Sequence, residues 1–201
     1  MMKVLLLDVD GVVIQGEQFA THLEQQYGIS RKEASVFFHG EFEQCLVGKA
    51  DLKKILPTYL KRWGWRHSVE EFMQQWFISE SSVDQQLIQY IQTLRQRGIQ
   101  CCAATNQEKY RSEYLVHTLQ FEKFFDAVFC SCTIGYTKRS QDFFQHIITA
   151  LPDSSKTQIV FWDDALVHVQ VAQSVGIHAE LYETFEQFQR VMQQRYLQFL
   201  K

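Results

Sequence analysis

The run Val4-Leu5-Leu6-Leu7-Asp8-Val9-Asp10-Gly11-Val12-Val13 decides how the rest of the chain is read. Its apolar start, with no polar interruption, suits a strand buried on both faces, as in a parallel sheet covered by helices. The two carboxylates that follow, one residue apart, fall at the carboxyl end of that strand, where doubly wound sheets bind ligands. Gly11 lets the backbone turn sharply there. Taken alone, the acidic pair has an ordinary alternative use, because Asp residues also end strands and start turns.

Working outward, similar short apolar runs recur at residues 3–8, 99–104, 127–131, 158–162 and 178–182, all apolar on both faces. Helical spacing separates most of them. Leu87, Tyr90, Ile91 and Leu94 form one stripe, with Gly98 as its stop. Phe143, Phe144, Ile147, Ile148 and Leu151 form another, ending at Pro152, and Leu166, Val169, Ala172 and Val175 a third, closed by Gly176. The last carries Phe185, Phe188, Val191, Met192, Tyr196 and Phe199, and is expected to cover the sheet rather than to join two copies of the chain. Alternating strand and helix imply an α/β fold, a doubly wound parallel sheet. Residues 16–82 break the rhythm. They show no convincing strand and read as helices near 17–27, 31–43, 51–63 and 69–77, started by Ser30, Ala50-Asp51 and Ser68, with Glu71 completing a capping box. Such a block is far longer than a βα loop of about 2–6 residues. It reads as an inserted helical cap, leaving 1–15 and 83–201 as the Rossmann-like core.

Composition narrows the class. The chain has 201 residues, 46% of them hydrophobic, and a formal charge of −3, so disorder is excluded and a general nucleic-acid surface has no electrostatic footprint. No apolar run approaches the length of a membrane span, and Asp8 and Asp10 end the first run too early for a signal peptide. The five cysteines are odd in number and sit in apolar runs, as buried thiols of a reducing compartment do. A cytoplasmic protein, monomer or homodimer, is the expectation.

The other strand ends change the meaning of the acidic pair. Thr105-Asn106 follows the second core strand, Lys138 follows the third after a turn at Gly135, and Asp163-Asp164 follows the fourth. Singly these are helix starts and solvated charges. Together they gather a hydroxyl, an amide, an ammonium and four carboxylates at one edge of one sheet.

Asp8-x-Asp10-Gly11-Val12, then Thr105, Lys138 and Asp163-Asp164, resemble in order and spacing the four motifs of the haloacid dehalogenase-like (HAD) hydrolases. The resemblance covers nearly the whole chain. The block from Phe42-Glu43 through Gly48-Lys49, with Ser68 to Phe72 and Trp76, looks most like the small-cap, sugar-phosphatase type of bacterial members. The resemblance implies phosphoryl transfer through an aspartyl-phosphate. Asp8 is then the nucleophile and Asp10 the general acid and base. Dehalogenating members lack an acid at the second position, since halide leaves without a proton. Mg²⁺ is the implied cofactor, held by the Asp8 carboxylate, the Asp10 carbonyl and Asp164, with Asp163 just outside its direct ligands. Thr105, Lys138 and the backbone around Val9, Asp10 and Asn106 are implied phosphate contacts. The implied substrate is a small phosphorylated metabolite.

Three departures from the family pattern stand out: Arg139 where proline is common, His168 where Asp or Asn is usual, which is expected to pack or cap, and, as a mild change, Asn106 after Thr105 where serine is also common. Trp63, Trp65 and Trp76, with Glu41, Lys49, Arg62, Arg66 and His67, are candidates to line a leaving-group pocket. Cys130-x-Cys132 reads as core, two thiols on one strand face. A phosphomutase and a non-catalytic binding member of the family stay open as alternatives. A receiver domain does not, because its motifs occur in a different order and without such a cap.

Overall fold

Val4–Leu7 forms β1, the central strand of a parallel sheet in the computed structural model, which describes residues 2–16 and 19–197. The further strands are β2 (Ile14–Gln15), β3 (Ser82–Val83), β4 (Gln100–Thr105), β5 (Ala127–Cys130), β6 (Ile159–Asp163) and β7 (His178–Leu181). The main sheet runs β5-β4-β1-β6-β7, every pair parallel. Its chain connections therefore leave β1 in opposite directions, and the reversal falls between β1 and β6, where such sheets open a crevice for ligands. Leu7 pairs with Ala103 on one side and Trp162 on the other, so β4, ending at Thr105, and β6, ending at Asp163, run just past the end of β1.

Strand alternation sends successive residues to opposite faces. Leu5, Leu7, Cys101, Ala103 and Trp162 face α6 (Gln85–Gln96) and α12 (Phe185–Val191), where Ile91, Leu94 and Phe188 are buried. Val4, Leu6, Cys102, Ala104 and Phe161 face α10 (Gln141–Ala150) and α11 (Leu166–Ser174). The expected stripe on α11 is narrower than its spacing suggests. Val169 and Ala172 are buried, but Leu166, at the rim beyond the strand ends, is 55% exposed. The final helix continues past α12 as a wider turn over Met192–Tyr196, and Phe199 lies outside the described residues.

The chain leaves the core through β2 and returns through β3, which pair antiparallel, Ile14 with Val83 and Gln15 with Ser82. These two-residue strands are too short to leave a period in the sequence, and β3 corrects the expectation of no strand up to residue 82. Between them lie α1 (Phe19–Tyr27), α2 (Arg31–Phe38), α3 (Phe42–Leu46), α4 (Leu52–Arg62) and α5 (Val69–Ser79), around a cluster of their own that includes Phe19, Phe37, Leu56, Phe72 and Trp76. Residue 17, where the first of these helices was expected to start, lies outside the described residues. Ser30 and Ser68 cap α2 and α5 in full capping boxes with Glu33 and Glu71, and Asp51 caps α4. The helix expected over 31–43 is two. The chain breaks at Gly40, where a Cβ would lie 2.4 Å from the Val36 carbonyl oxygen.

The sequence showed no element between β4 and β5. There the chain forms α7 (Lys109–Glu113), a wide turn at Tyr114–Thr118 and α8 (Phe121–Phe124); α9 (Ser131–Ile134) follows β5. These pieces are too short for a hydrophobic stripe to declare itself. Glu108 caps α7, accepting from the Tyr110 and Arg111 backbone N–H groups at 2.9 and 2.6 Å, and is buried.

Two stability predictions follow from this packing. Phe72 is fully buried, so Phe72→Ala is expected to cost about 3–5 kcal/mol in urea unfolding. Three of the four tryptophans (Trp63, Trp65 and Trp76) lie in the helical block, so its melting reads out directly in fluorescence. Burial raises the Glu108 carboxyl from 4.5 to about 7, against its backbone hydrogen bonds. Between those pH values the folded chain keeps a proton that the unfolded chain has released, so stability falls as pH rises through the window. Glu108→Gln is expected to flatten this fall, on the order of 2–3 kcal/mol between pH 4.5 and 7. An unchanged pH slope in the variant counts against it.

Candidate active site

Asp8 is the first residue past β1, and its N–H still donates to the Trp162 carbonyl at 2.9 Å, so β6 fixes its height. Its side chain is buried, and Oδ1 accepts from the Val9 N–H at 2.7 Å. The chain then folds back on itself. Gly11 N–H donates to the Ile14 carbonyl at 2.9 Å and Ile14 N–H to the Val9 carbonyl at 2.7 Å. Gly11 has a φ of +84°, and a Cβ there would lie 2.2 Å from Asp164 Oδ2. The glycine thus serves twice, for the turn and for the approach of a carboxylate from the end of β6.

Lys138 carries the charge balance. Its side chain is buried, and its ammonium pairs with Asp8 Oδ1 and, at 2.7 Å, with Asp163 Oδ2. Its backbone N–H donates to Asn106 Oδ1 at 2.9 Å, so Asn106 anchors the Lys138 loop to the end of β4. Asp163 is fully buried and also accepts from the Ala165 N–H at 2.8 Å. His168 Nδ1 sits 3.0 and 3.2 Å from its two oxygens. Burial alone would raise the Asp163 carboxyl, but the hydrogen bond to His168 and the charge of Lys138 outweigh it and bring it to about 2. Burial is also the largest influence on Asp8 and drives its carboxyl well above the usual range, against the pull of Lys138. One ammonium shared by two buried carboxylates leaves this corner short of positive charge.

Asp10 lies outside that cluster, its side chain 50% exposed. Gln107 Nε2 donates to Asp10 Oδ2 and also, at 3.2 Å, to the Thr105 hydroxyl, which is buried. Arg111 lies 3.8 Å from Asp10 Oδ1, and its buried guanidinium donates to the Phe77 carbonyl at 2.9 Å and to the Glu80 carbonyl. Glu80 accepts from the Phe19 N–H and the Trp76 indole at 2.7 and 2.8 Å, and its burial raises its carboxyl. Gln107, Arg111 and Glu80 escaped the sequence reading. Gln107 had a signal in principle, two residues beyond Thr105 at a strand end, whereas Arg111 had none.

The structure therefore brings Asp8, Lys138 and Asp163 into direct contact, with Asp164 over Gly11 and with Asp10 and Thr105 joined through Gln107. The Val9 N–H points to Asp8 rather than into open space. Asp8, Asp163 and His168 bring ligand atoms within 4.8 Å of one another, but the Lys138 ammonium already joins the two carboxylates. The other candidate donors for a hard divalent cation are Asp8, the Asp10 carbonyl and Asp164. The donors there are all oxygen, and the bare Gly11 leaves the room that Asp164 uses. Burial and the neighbouring Asp163 raise the Asp164 carboxyl, as expected where carboxylates gather with too little positive charge.

A cavity of about 570 Å³ opens beside Asp10 and Asp164 toward the helical block, lined there by Phe19, Arg31, Ser35, Phe38, His39 and Trp76. This corrects the expected lining. Of the candidates from the sequence only Trp76 reaches it. Trp63 and Trp65 pack against Phe72 instead, and Arg62, Arg66, His67, Lys49 and Glu41 lie elsewhere. Helical spacing identified the apolar stripe but not which end of it faces the core. Arg139 pairs with Glu43 of the block at 3.5 Å, both side chains exposed.

The haloacid dehalogenase-like hydrolase family model matches residues 2–176. No curated protein matches the sequence. Among solved structures, a HAD family enzyme from Bacteroides thetaiotaomicron, also solved in complex with magnesium and inorganic phosphate, is similar with a TM-score of 0.81 and 16% identity, over 95% of this chain and 98% of its own. A predicted HAD-like family hydrolase from Porphyromonas gingivalis gives 0.78 and 18%, over 97% and 100%. The L-2-haloacid dehalogenase of Xanthobacter autotrophicus, with chloropropionic acid covalently bound, gives 0.66 and 17%, over 98% and 84%. At these identities the structural likeness is one of fold. The family match spans most of the chain and both ends of the site, and the chain belongs to the haloacid dehalogenase-like hydrolases.

Proposed function

We propose that this hydrolase is a Mg²⁺-dependent phosphomonoesterase acting on a small phosphorylated metabolite, with sugar phosphates among the candidates, through an aspartyl-phosphate on Asp8. The observation that carries the reading is the carboxyl of Asp10, held beside the buried Asp8 by the Gln107 amide. A phosphate ester's leaving oxygen needs a proton, and a halide does not, so an acid positioned there favours phosphate over haloalkanoate chemistry. The magnesium and phosphate complex of the Bacteroides enzyme supports the same choice by analogy of fold.

In this reading Asp8 attacks phosphorus while Asp10 protonates the departing oxygen. Asp10, now a base, takes a proton from the water that releases phosphate from Asp8, so hydrolysis is divided into two displacements. The Thr105 hydroxyl and the Asp10 and Asn106 N–H groups hold phosphoryl oxygens, and Lys138 sets a fixed positive charge beside the transferring group. His168 and the Ala165 N–H orient Asp163, which in turn orients Lys138. Asp8, the Asp10 carbonyl and Asp164 are the residues that would hold Mg²⁺, which when bound neutralises charge on the phosphoryl oxygens. The cavity toward the helical block receives the leaving group. Its size and its walls of Phe38, Trp76, Ser35 and His39 suit a small molecule rather than a polymer.

Hydrolysis of an aryl phosphate is expected with Mg²⁺ and not after chelation, and Asp8→Asn is expected to abolish it. Turnover indifferent to both the metal and that substitution would sink the reading. Gln107→Ala is expected to lower kcat about 10–100-fold on alkyl phosphates, whose leaving groups need a proton, and much less on an activated aryl phosphate. Equal losses on the two substrates would show that Gln107 does not act through Asp10. Gly11→Ala should weaken the apparent Mg²⁺ affinity about 10–100-fold, read in a metal titration, because its Cβ displaces Asp164.

A further inference from the structure

We propose that Cys130 and Cys132 form a redox modification site that takes a hydroperoxide, and that closing their disulfide loosens the grip of Gln107 on Asp10. The expectation of two thiols on one strand face needs correcting first. β5 ends at Cys130, Ser131 begins α9, and Cys132 lies on that short helix. The change of direction brings the two sulfurs to 3.3 Å, while Cys130 is buried and Cys132 is partly exposed. Cys132 lines a second cavity, of about 690 Å³, between the helical block and the core, which also presents Lys49, Lys54 and Lys109. A small oxidant therefore has a route to Cys132, with Cys130 behind it.

The pair is wired to the site through one residue. Cys130 Sγ donates to the Gln107 carbonyl at 3.4 Å. Ser131 Oγ accepts from the Gln107 N–H at 3.1 Å and donates to the same carbonyl at 3.3 Å. The Gln107 side chain donates to Asp10 and Thr105. The segment that would have to move to close a disulfide is thus the segment that fixes the Gln107 backbone. Cys132 also touches the helical block, because a Cβ on Gly48 would lie 2.4 Å from the Cys132 carbonyl oxygen.

The contact between the sulfurs holds the Cys130 thiol down to about 6 and pushes Cys132 up, so the first ionisation of the pair falls on Cys130, and Cys132 becomes the thiolate by passing its own proton to Cys130 across 3.3 Å. At the cavity wall the Cys132 thiolate attacks one peroxide oxygen. The O–O bond breaks, and the departing hydroxide takes the proton of Cys130 and leaves as water. Cys132 now carries a sulfenic acid and Cys130 is a thiolate. Cys130 attacks the Cys132 sulfur, the S–S bond forms, and the expelled hydroxide leaves as a second water with a proton from solvent. Two thiols and one hydrogen peroxide become one disulfide and two waters. Closing the bond takes the sulfurs from 3.3 Å to about 2.05 Å and removes the S–H that Gln107 accepts.

The disulfide rests on this geometry alone, whereas its effect on turnover rests on the proposed phosphatase reading, so the test carries readouts for both. The reduced full-length protein is treated with hydrogen peroxide, quenched and digested with trypsin. The peptide 124–138 holds Cys130 and Cys132 and no other cysteine. It is expected to lose two hydrogens in mass and to regain them with dithiothreitol, and Cys132→Ser and Cys130→Ala are expected to prevent the change. Backbone amide exchange across 105–111 should rise on oxidation of the natural chain and not of the variants. Alkyl phosphate turnover should fall about tenfold in parallel and recover on reduction. A peptide that keeps both hydrogens, or a disulfide that leaves exchange at 105–111 unmoved, overturns the proposal. A protein that hydrolyses no phosphate ester leaves those two readouts to decide it, and counts against the phosphatase reading alone.

Discussion

A buried ammonium between two buried carboxylates is the contact on which the rest of this site depends. Withdrawing such ions from water costs several kcal/mol each, which is returned only when geometry and hydrogen bonds are complete. Lys138 meets that condition through Asp8 and Asp163, and Asp163 through His168 and the Ala165 N–H. The partners come from the ends of β1 and β6 and from the loop beyond α9, so one charge cluster ties three separate segments together. The sheet makes this possible. β1, β4 and β6 end close together, and the reversal of chain direction opens a crevice at the point where the carboxylates stand.

The same charge count leaves the site with more carboxylates than cationic side chains. Asp8, Asp163 and Asp164 meet around a single Lys138, and the fields of Asp163 and Asp10 add to the burial that already raises Asp8. Asp163 is taken up by Lys138 and His168, which leaves Asp164 as the carboxylate turned toward Gly11. The exposed and buried members of this neighbouring pair have separate tasks, although nothing in their side-chain chemistry differs. The chain geometry at the end of β6 assigns them.

Much of this was legible in the sequence because the signals are local. Apolar runs marked the five strands of the main sheet, and Ser30, Asp51 and Ser68 marked helix starts by their hydrogen-bonding chemistry. Most of the motif residues were legible because they stand at strand ends that the pattern already located, and Lys138 because it follows the turn at Gly135 beyond the third of them. What stayed hidden depends on distance along the chain or on brevity. Gln107 reaches Asp10 across 97 positions, and Arg111 reaches the Phe77 carbonyl across 34. The five-residue α7 that carries Arg111 is too short to show a period. The lining of the cavity beside Asp10 was misread for a related reason. Aromatic spacing tells which residues face one another inside the helical block, but not which end of the block meets the core.

Arg111 joins these levels. Its guanidinium rests 5.5 Å from the Phe77 and Tyr114 rings and donates to carbonyls at the end of α5, while the same group stands 3.8 Å from Asp10. A shift of the helical block relative to the core must either carry Arg111 along or break buried hydrogen bonds to a charged group, each worth about 1.5–3 kcal/mol. The block's position and the electrostatic surroundings of Asp10 are therefore one variable rather than two. In the proposed phosphatase reading, a leaving group that seats the block correctly also sets the field around the acid that protonates it. The coupling runs through α7, the element the sequence concealed, so the link between the block's position and Asp10 lies in tertiary contacts that no local pattern encodes.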